Sequence, residues 1–416
     1  MQRLGLLLAG LFLSALFACQ WPGTSKTAVS SVQPDTVKGT YGYDLNFLKK
    51  HKIEITELSD ARGKARLVIS QALQGRVMTS SANGESGKSF GWINYKLINS
   101  GKVSPQFNPY GGEERFWLGP EGGPFSIYFS EDKEQVFGNW KVPSVIDTEP
   151  FEVKSQTQNK IEFVKTAVFK NASGTEFKLL VNRKILLLNA DTLESLFKVK
   201  IPSSLQTVAY QSENSITNRG EKPWTKNGGL LSVWMLSMFN PSPSITVFIP
   251  YRQENNGTVV NDDYFGKVPA DRLKTENGVI YFKIDGKLRS KIGIPPERAT
   301  GLCGSYDSEQ KVLTLLWSSL PEKAQPYVNS KWGKQDDPFK GDAVNSYNDG
   351  PVADGSIMGP FYEIETSSPA AELKPGETLT HVQRIVHLQG EEAELSVIVK
   401  NLFNLDLQKI QTQFQK

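Results

Sequence analysis

Glu363 and Glu365 are the residues of this chain whose types and spacing best suit chemistry. They sit in Tyr362-Glu363-Ile364-Glu365-Thr366. Side chains alternate faces along a strand, so both carboxylates point one way and Ile364 points the other. Two like charges on one face repel and are costly to bury, so that face is either solvated or lines a polar site. Upstream, Asn345, Asn348 and Asp349 offer oxygens of the kind calcium takes, but the EF-hand loop pattern is absent and Asn-Asp-Gly reads first as a turn. No metal and no cofactor is expected. Downstream, Lys374-Pro375-Gly376-Glu377 has turn chemistry, with Pro presetting one backbone angle and Gly supplying the left-handed one. The strand from Leu379 to Leu388 is then expected to run back beside the glutamates, bringing His381 or His387 to them.

The elements that must position these groups read as mainly β. Phe151 to Leu188 alternates as long antiparallel strands around a turn at Asn171 to Gly174. Val208 to Gly220, Ser232 to Phe239 and Lys311 to Ser319 are further strands, and Trp92 to Ile98 is expected to be one. Val279 to Ile292 reads as a hairpin turning at Asp285-Gly286. Its second arm carries Lys287, Arg289 and Lys291 on one face, expected to be solvated. Short helices are expected at Asp44 to Lys50, capped by Asp44, and at Asp191 to Phe197, capped by Asp191 or Thr192. Another is expected within Glu391 to Phe403.

A Glu-Thr pair at Glu365-Thr366, a Pro soon after, Leu373-Lys374-Pro375-Gly376-Glu377 and a long final strand resemble the C-terminal part of the galactose mutarotase-like, or aldose 1-epimerase, superfamily. Asn218-Arg219-Gly220, Pro223 and Met238-Phe239-Asn240 are similar to a second stretch of that family. The resemblance implies a β-supersandwich with a few short helices, binding a carbohydrate on an open sheet face. It implies Glu365 as catalytic base. The family's catalytic histidine falls on Leu236, which cannot donate a proton, so standard epimerase activity is not expected. With a sugar as ligand, Gly111 to Gly123 becomes a second candidate stretch. Its glycines let a ligand come close to the backbone, and Arg115, Trp117 and Glu121 suit sugar hydroxyls and the apolar face of a pyranose. The same stretch reads equally as a turn with a buried Trp and a structural Arg–Glu pair. The candidate substrate-binding set is Arg115, Trp117, Glu121, Asn218, Asn348, Asp349, Glu363 and His381, expected to share one cleft with Glu365.

The charge balance, Lys+Arg 47 against Asp+Glu 44, gives no reason to expect nucleic acid as a partner. Residues 1–18 read as a lipoprotein signal peptide: Arg3, an apolar run from Leu4 to Leu13, then Leu16-Phe17-Ala18-Cys19. Cys19 would carry the lipid anchor, palmitate-type acyl chains included. Gln20 after it implies the outer membrane, on the periplasmic side. Residues 19–40 read as a flexible tether and 41–416 as one domain. Cys303, between Gly301-Leu302 and Gly304, reads as a small buried residue. Three functions stay open: a carbohydrate-binding lipoprotein, an enzyme on sugars or uronates using Glu365 or Glu363, and a structural envelope lipoprotein. The sequence does not determine the oligomeric state.

Overall fold

Alternating apolar and polar residues build most of this molecule, and the strand Glu176–Leu188 shows the rule, burying every second side chain along its length. The computed structural model describes residues 37–254, 257–352 and 354–415. Residues 1–36, with the signal peptide, Cys19 and most of the tether, lie outside the described residues. The described part of the chain forms one unit.

The chain opens with helix α1 (Tyr41–Lys50), then strands β1 (Thr56–Ser59), β2 (Arg66–Ser70) and β3 (Arg76–Ser81), helix α2 (Tyr95–Ser100) and β4 (Arg115–Gly119). Three long strands follow a short one: β5 (Glu152–Gln156), β6 (Lys160–Lys170), β7 (Glu176–Leu188) and, after helix α3 (Ala190–Phe197), β8 (Gln206–Asn218). Next come β9 (Ser232–Phe239), β10 (Ile245–Pro250), β11 (Leu273–Glu276), β12 (Val279–Lys283), β13 (Ser290–Ile294), β14 (Leu302–Asp307) and β15 (Val312–Ser318). The chain finishes with β16 (Val344–Asn348), β17 (Tyr362–Ser367), β18 (Thr378–Gln389) and helices α4 (Glu392–Phe403) and α5 (Leu407–Thr412).

These strands make a ten-stranded sheet in the order β11-β12-β10-β14-β15-β18-β8-β7-β6-β5, a five-stranded sheet in the order β13-β16-β17-β9-β4, and a small sheet β1-β2-β3. All the ladders are antiparallel, as expected for a mainly-β sandwich. The largest apolar core lies between the two large sheets; it includes Ile216, Met235 and Ile364. A second cluster packs α4 and α5 against the outer face of the ten-stranded sheet.

Several local expectations need correction. Tyr95–Ser100 is a helix and not a strand. Asn94 caps it by accepting Leu97 N–H at 3.0 Å, and Gly101 ends it in the left-handed conformation. Helix α1 is capped by Thr40, while Asp44 is buried and takes hydrogen bonds from Ser89 and Tyr95. Asn189, two residues before Asp191, caps α3. The hairpin at Asp285-Gly286 does not form. Strand β12 belongs to the ten-stranded sheet and β13 to the five-stranded one. Asp285 is clamped by Arg272, and Gly286 N–H donates to Asn348 Oδ1 at 3.0 Å, so this segment carries the chain from one sheet to the other. The final strand likewise does not lie beside β17. It pairs with β15 and β8 in the opposite sheet. Cys303 is buried as expected, and burial pushes its thiol up to about 12.

Candidate functional site

Strand parity decides what reaches the site. On the five-stranded sheet, Glu114, Phe116, Ser237, Tyr362, Ile364 and Thr366 face the ten-stranded sheet. Tyr362 meets Ser305 there at 2.7 Å and Thr366 meets His381 at 2.8 Å. The intervening residues face the other way, over a cavity of about 430 Å³. Its floor carries Arg115 and Trp117 from β4, Trp234 and Leu236 from β9, Lys291 from β13, Tyr347 from β16 and Glu363 from β17. Loops supply the walls: Phe107, Glu121, Phe137, Trp140, Asp263, Tyr264, Phe265, Lys331, Trp332 and Phe361. A volume of this size is within the ordinary range for a small-molecule site.

The floor charges are paired. Arg115 Nη2 donates to Glu363 Oε1 at 2.8 Å, and its guanidinium lies 4.4 Å from the centre of the Trp117 ring. Lys291 Nζ donates to Glu365 Oε2 at 2.8 Å, and Trp234 Nε1 donates to the same oxygen at 2.9 Å. Buried ion pairs hold only when their remaining polar atoms also find partners. Here Glu365 Oε1, Arg115 Nε and Trp117 Nε1 are buried without a hydrogen-bond partner among the described residues. Such atoms are costly to leave unmet in a fold and are unusual.

The electrostatics follow from this burial. Burial pushes the Glu121 carboxyl up to about 7; Lys291 opposes that shift and the charge of Glu365 adds to it. Burial raises Glu363 too, against the pull of Arg115. For Lys291, burial works against the ammonium, but Glu365 and Glu121 outweigh it and hold the group above its ordinary value. Behind the wall, Tyr264 donates to Asp342, whose carboxyl burial raises to about 6. Asn345 donates to Tyr264 Oη at 3.2 Å and closes that network.

Of the residues singled out in the sequence, Arg115, Trp117, Glu121 and Glu363 line this one cavity although more than two hundred positions separate the first from the last. The reading of the Gly-dense stretch as a buried Trp with a structural Arg–Glu pair finds a counterpart: Trp117 is buried and Arg115 pairs with Glu363, and all three line the cavity. The glycines, however, admit another backbone. A side chain at Gly122 would meet Lys331 O at 2.3 Å, where the loop carrying Trp332 packs against it. Glu365 does not line the cavity. It lies just beneath, 1% exposed, reached through Lys291 and Trp234.

Four of the expected residues lie outside the lining, each for a stated reason. Asn348 has the wrong parity on β16 and instead ties down the crossover through Leu288 O at 2.9 Å. Asn218 builds the turn after β8, donating to Lys222 O at 2.9 Å and Leu373 O at 3.0 Å. His381 is buried between the sheets because β18 belongs to the opposite one, and burial lowers it to about 4. Asp349 sits one residue beyond β16, accepting from Tyr347 Oη at 2.9 Å and from Gly359 N–H at 2.9 Å. His387, the other histidine expected near the glutamates, bridges Thr314 and Glu113 between the sheets. Leu236 is on the floor itself, directly opposite both Glu365 and Arg115 in register.

The expectation of a solvated face for Lys287, Arg289 and Lys291 holds at Lys287, which is exposed, and fails at the other two. Lys291 is 9% exposed and Arg289 lines the cavity. A signal was present: the spacing of Arg289 and Lys291 repeats that of Glu363 and Glu365, as two facing strands of one site require. Tyr264, Trp140 and Trp332 come from loops, where no periodicity marks them.

The fold and this site define a mainly-β sandwich protein with a cavity on the open face of its five-stranded sheet. Residues 39–414 match the family described as "Family of unknown function (DUF6786)", and the chain belongs to that family. Among curated proteins, none matches the chain. Solved structures similar to it include two described as galactose mutarotase related or galactose mutarotase-like. A galactose mutarotase related enzyme from Lactobacillus acidophilus is 11% identical, with 80% of this chain and 97% of that one covered and a TM-score of 0.44. A galactose mutarotase-like protein from Lactobacillus casei ATCC 334 is 12% identical, covering 80% and 100%, also at 0.44. The Slr1438 protein from Synechocystis sp. PCC 6803 is 13% identical, covering 81% and 96%, at 0.48. This likeness is one of general architecture, and no assignment of activity rests on it.

Proposed function

We propose that the cavity binds a carbohydrate and that the protein is a carbohydrate-binding lipoprotein of the outer membrane, anchored through Cys19 on the periplasmic side, without aldose 1-epimerase activity. The observation that carries the reading is the make-up of the cavity. A pyranose has apolar C–H faces and a polar edge of hydroxyls. Trp117, Trp140, Trp234, Trp332 and Tyr264 supply aromatic surface for the first; Arg115, Glu121, Lys291 and Glu363 supply donors and acceptors for the second. The floor position where the sequence resemblance implies a proton donor is Leu236, next to Glu365 in register. Anomer interconversion needs an acid and a base on one sugar, and losing the acid costs roughly 10²–10⁴-fold in rate.

One observation favours a second reading, an enzyme on sugars or uronates. The Glu121 carboxyl, raised to about 7, is partly protonated near neutrality and faces the same cavity, as a general acid would. Titration calorimetry against a glycan library, with polarimetry on glucose and galactose, separates the two. Binding without catalysed mutarotation, weakened at least about tenfold by Trp332→Ala at the cavity rim, supports the binding reading. Mutarotation well above the blank, lost in both Glu121→Gln and Glu365→Gln, overturns it. The anchor is checked on the same preparation: Cys19→Ala should move the protein from the membrane to the soluble fraction.

A further inference from the structure

Three of the four cations lining the cavity are neutralised where they stand. Arg115 holds Glu363 at 2.8 Å, Lys291 holds Glu365 at 2.8 Å and Lys331 holds Asp263 at 2.6 Å. Arg289 is the fourth, and among the described residues no carboxylate lies within ion-pair distance of it. It is nevertheless held in place. Its Nε donates to Tyr347 Oη at 3.2 Å, and its guanidinium lies 4.0 Å from the centre of the Phe265 ring. Tyr347 is itself fixed by Asp349, which accepts its hydroxyl at 2.9 Å and Gly359 N–H at 2.9 Å. Asp349 therefore orients the arginine through one hydroxyl without occupying it. Both terminal nitrogens of Arg289 are left without a protein hydrogen bond among the described residues.

We infer that the carbohydrate this cavity binds carries a carboxylate, as a uronic acid does, and that Arg289 is the residue that recognises it. The inference rests on the carbohydrate reading above. A guanidinium held through Nε and stacked on an aromatic ring presents its two terminal nitrogens as a fork. That fork matches the two oxygens of a carboxylate, bond for bond. Because the side chain is already anchored, little rotamer freedom remains to be lost when the ligand arrives. Charge decides between carboxylate and phosphate. Arg289 has no carboxylate at ion-pair distance among the described residues, but the nearby carboxyls of Asp349 and Glu121 already feel its charge, so it has room for one further negative charge at most. A sugar phosphate brings close to two, and the second would face Glu121, the lining acid with no ion-pair partner among the described residues. Burial that keeps Glu121 partly protonated near neutrality lowers the repulsion that a monoanion meets.

The test is calorimetry on the full-length protein with matched ligands: glucose, glucuronate and glucose 6-phosphate; galactose, galacturonate and galactose 6-phosphate; and short neutral and uronate oligosaccharides. Uronates are expected to bind about 10- to 100-fold more tightly than their neutral parents. Arg289→Met should erase that difference by weakening the uronates far more than their neutral parents, and Arg289→Lys should restore only part of it. Equal binding of neutral and acidic sugars, or an equal loss for both in Arg289→Met, overturns the inference and leaves the carbohydrate reading standing. Phosphates bound more tightly than uronates overturn the carboxylate assignment. No binding of any of these sugars overturns both.

Discussion

The two faces of the five-stranded sheet solve the same problem in different ways. Both carry charged and polar side chains out of water. Towards the ten-stranded sheet, Glu114 takes Arg183 Nη2 at 2.6 Å, Ser212 Oγ at 2.9 Å and Gln383 Nε2 at 2.8 Å, so both its oxygens are engaged. Gln383 Oε1 accepts from Thr366 at 2.7 Å, and Thr366 meets His381 at 2.8 Å. This layer links the strands bearing Arg115 and Glu365 to the opposite sheet from behind. Towards the cavity, ion pairs leave polar atoms unmet on Arg115, Trp117 and Glu365, whereas in the inner layer an unmet oxygen is on Glu113, beside His387 and away from the Glu114 group. A satisfied polar layer holds a structure; a partly satisfied one facing a cavity is what a ligand can complete. The comparison also shows why the histidines misled. His381 and His387 went to the layer between the sheets, while the cavity was given Lys291 and Arg289.

The comparison breaks most visibly at Arg183. Arg183→Met leaves Glu114 buried with its charge unpaired, and we expect about 3–5 kcal/mol of destabilisation in denaturant unfolding. A change below about 1 kcal/mol would show that the layer between the sheets is not the rigid support described above.

Acidity sharpens the contrast, because one residue on each side of the sheet titrates in the opposite sense. Asp342, behind the cavity wall, has a carboxyl raised by burial from 3.8 to about 6. The folded state therefore binds its proton more tightly than the unfolded chain does, and stability falls as pH rises through that window. His381, in the layer between the sheets, is lowered by burial from 6.5 to about 4. The unfolded chain binds that proton more tightly, so stability falls as pH drops through its window. Relative to the wild type, Asp342→Asn should gain up to about 3 kcal/mol between pH 4 and 6, and His381→Gln should gain a similar amount in going from about 6.5 down to 4. Unfolding curves across this range for both variants check the signs. Parallel profiles for the two would remove the distinction between the faces.

The smallest effect is expected at the rim. Lys331 and Asp263 lie 2.6 Å apart but both are substantially exposed. Lys331→Ala should cost no more than about 1 kcal/mol of stability, and less at high salt. A larger loss would mean that the rim supports the fold and is not merely an edge around the cavity.

How much was legible in advance depended on the range over which each signal acts. Alternation along one strand is local, so β7, β8, β9 and β17 were readable, and so was the shared facing of Glu363 and Glu365. Glu121, Arg115 and Trp117 stood out because their stretch combined unlike residue types. Sheet membership was not readable. The segment at Asp285-Gly286 has the chemistry of a hairpin turn, yet Arg272 and Asn348, both distant in sequence from it or from each other, draw it across from one sheet to the other. The turn at Lys374 to Glu377 was read correctly as a turn, but it hands the chain to the opposite sheet, and His381 goes with it.

What the sequence by itself determined was the pattern of faces: which residues along each strand travel together, that the chain would make a β sandwich, and that Leu236 stands where a proton donor was looked for. Which strands became neighbours was decided only by tertiary structure. Pairing partners are chosen by long-range burial and hydrogen bonding, which no local period records. That choice set Lys291 against Glu365 and Arg115 against Glu363, and it left Arg289, which lines the cavity, with its terminal nitrogens unpartnered among the described residues.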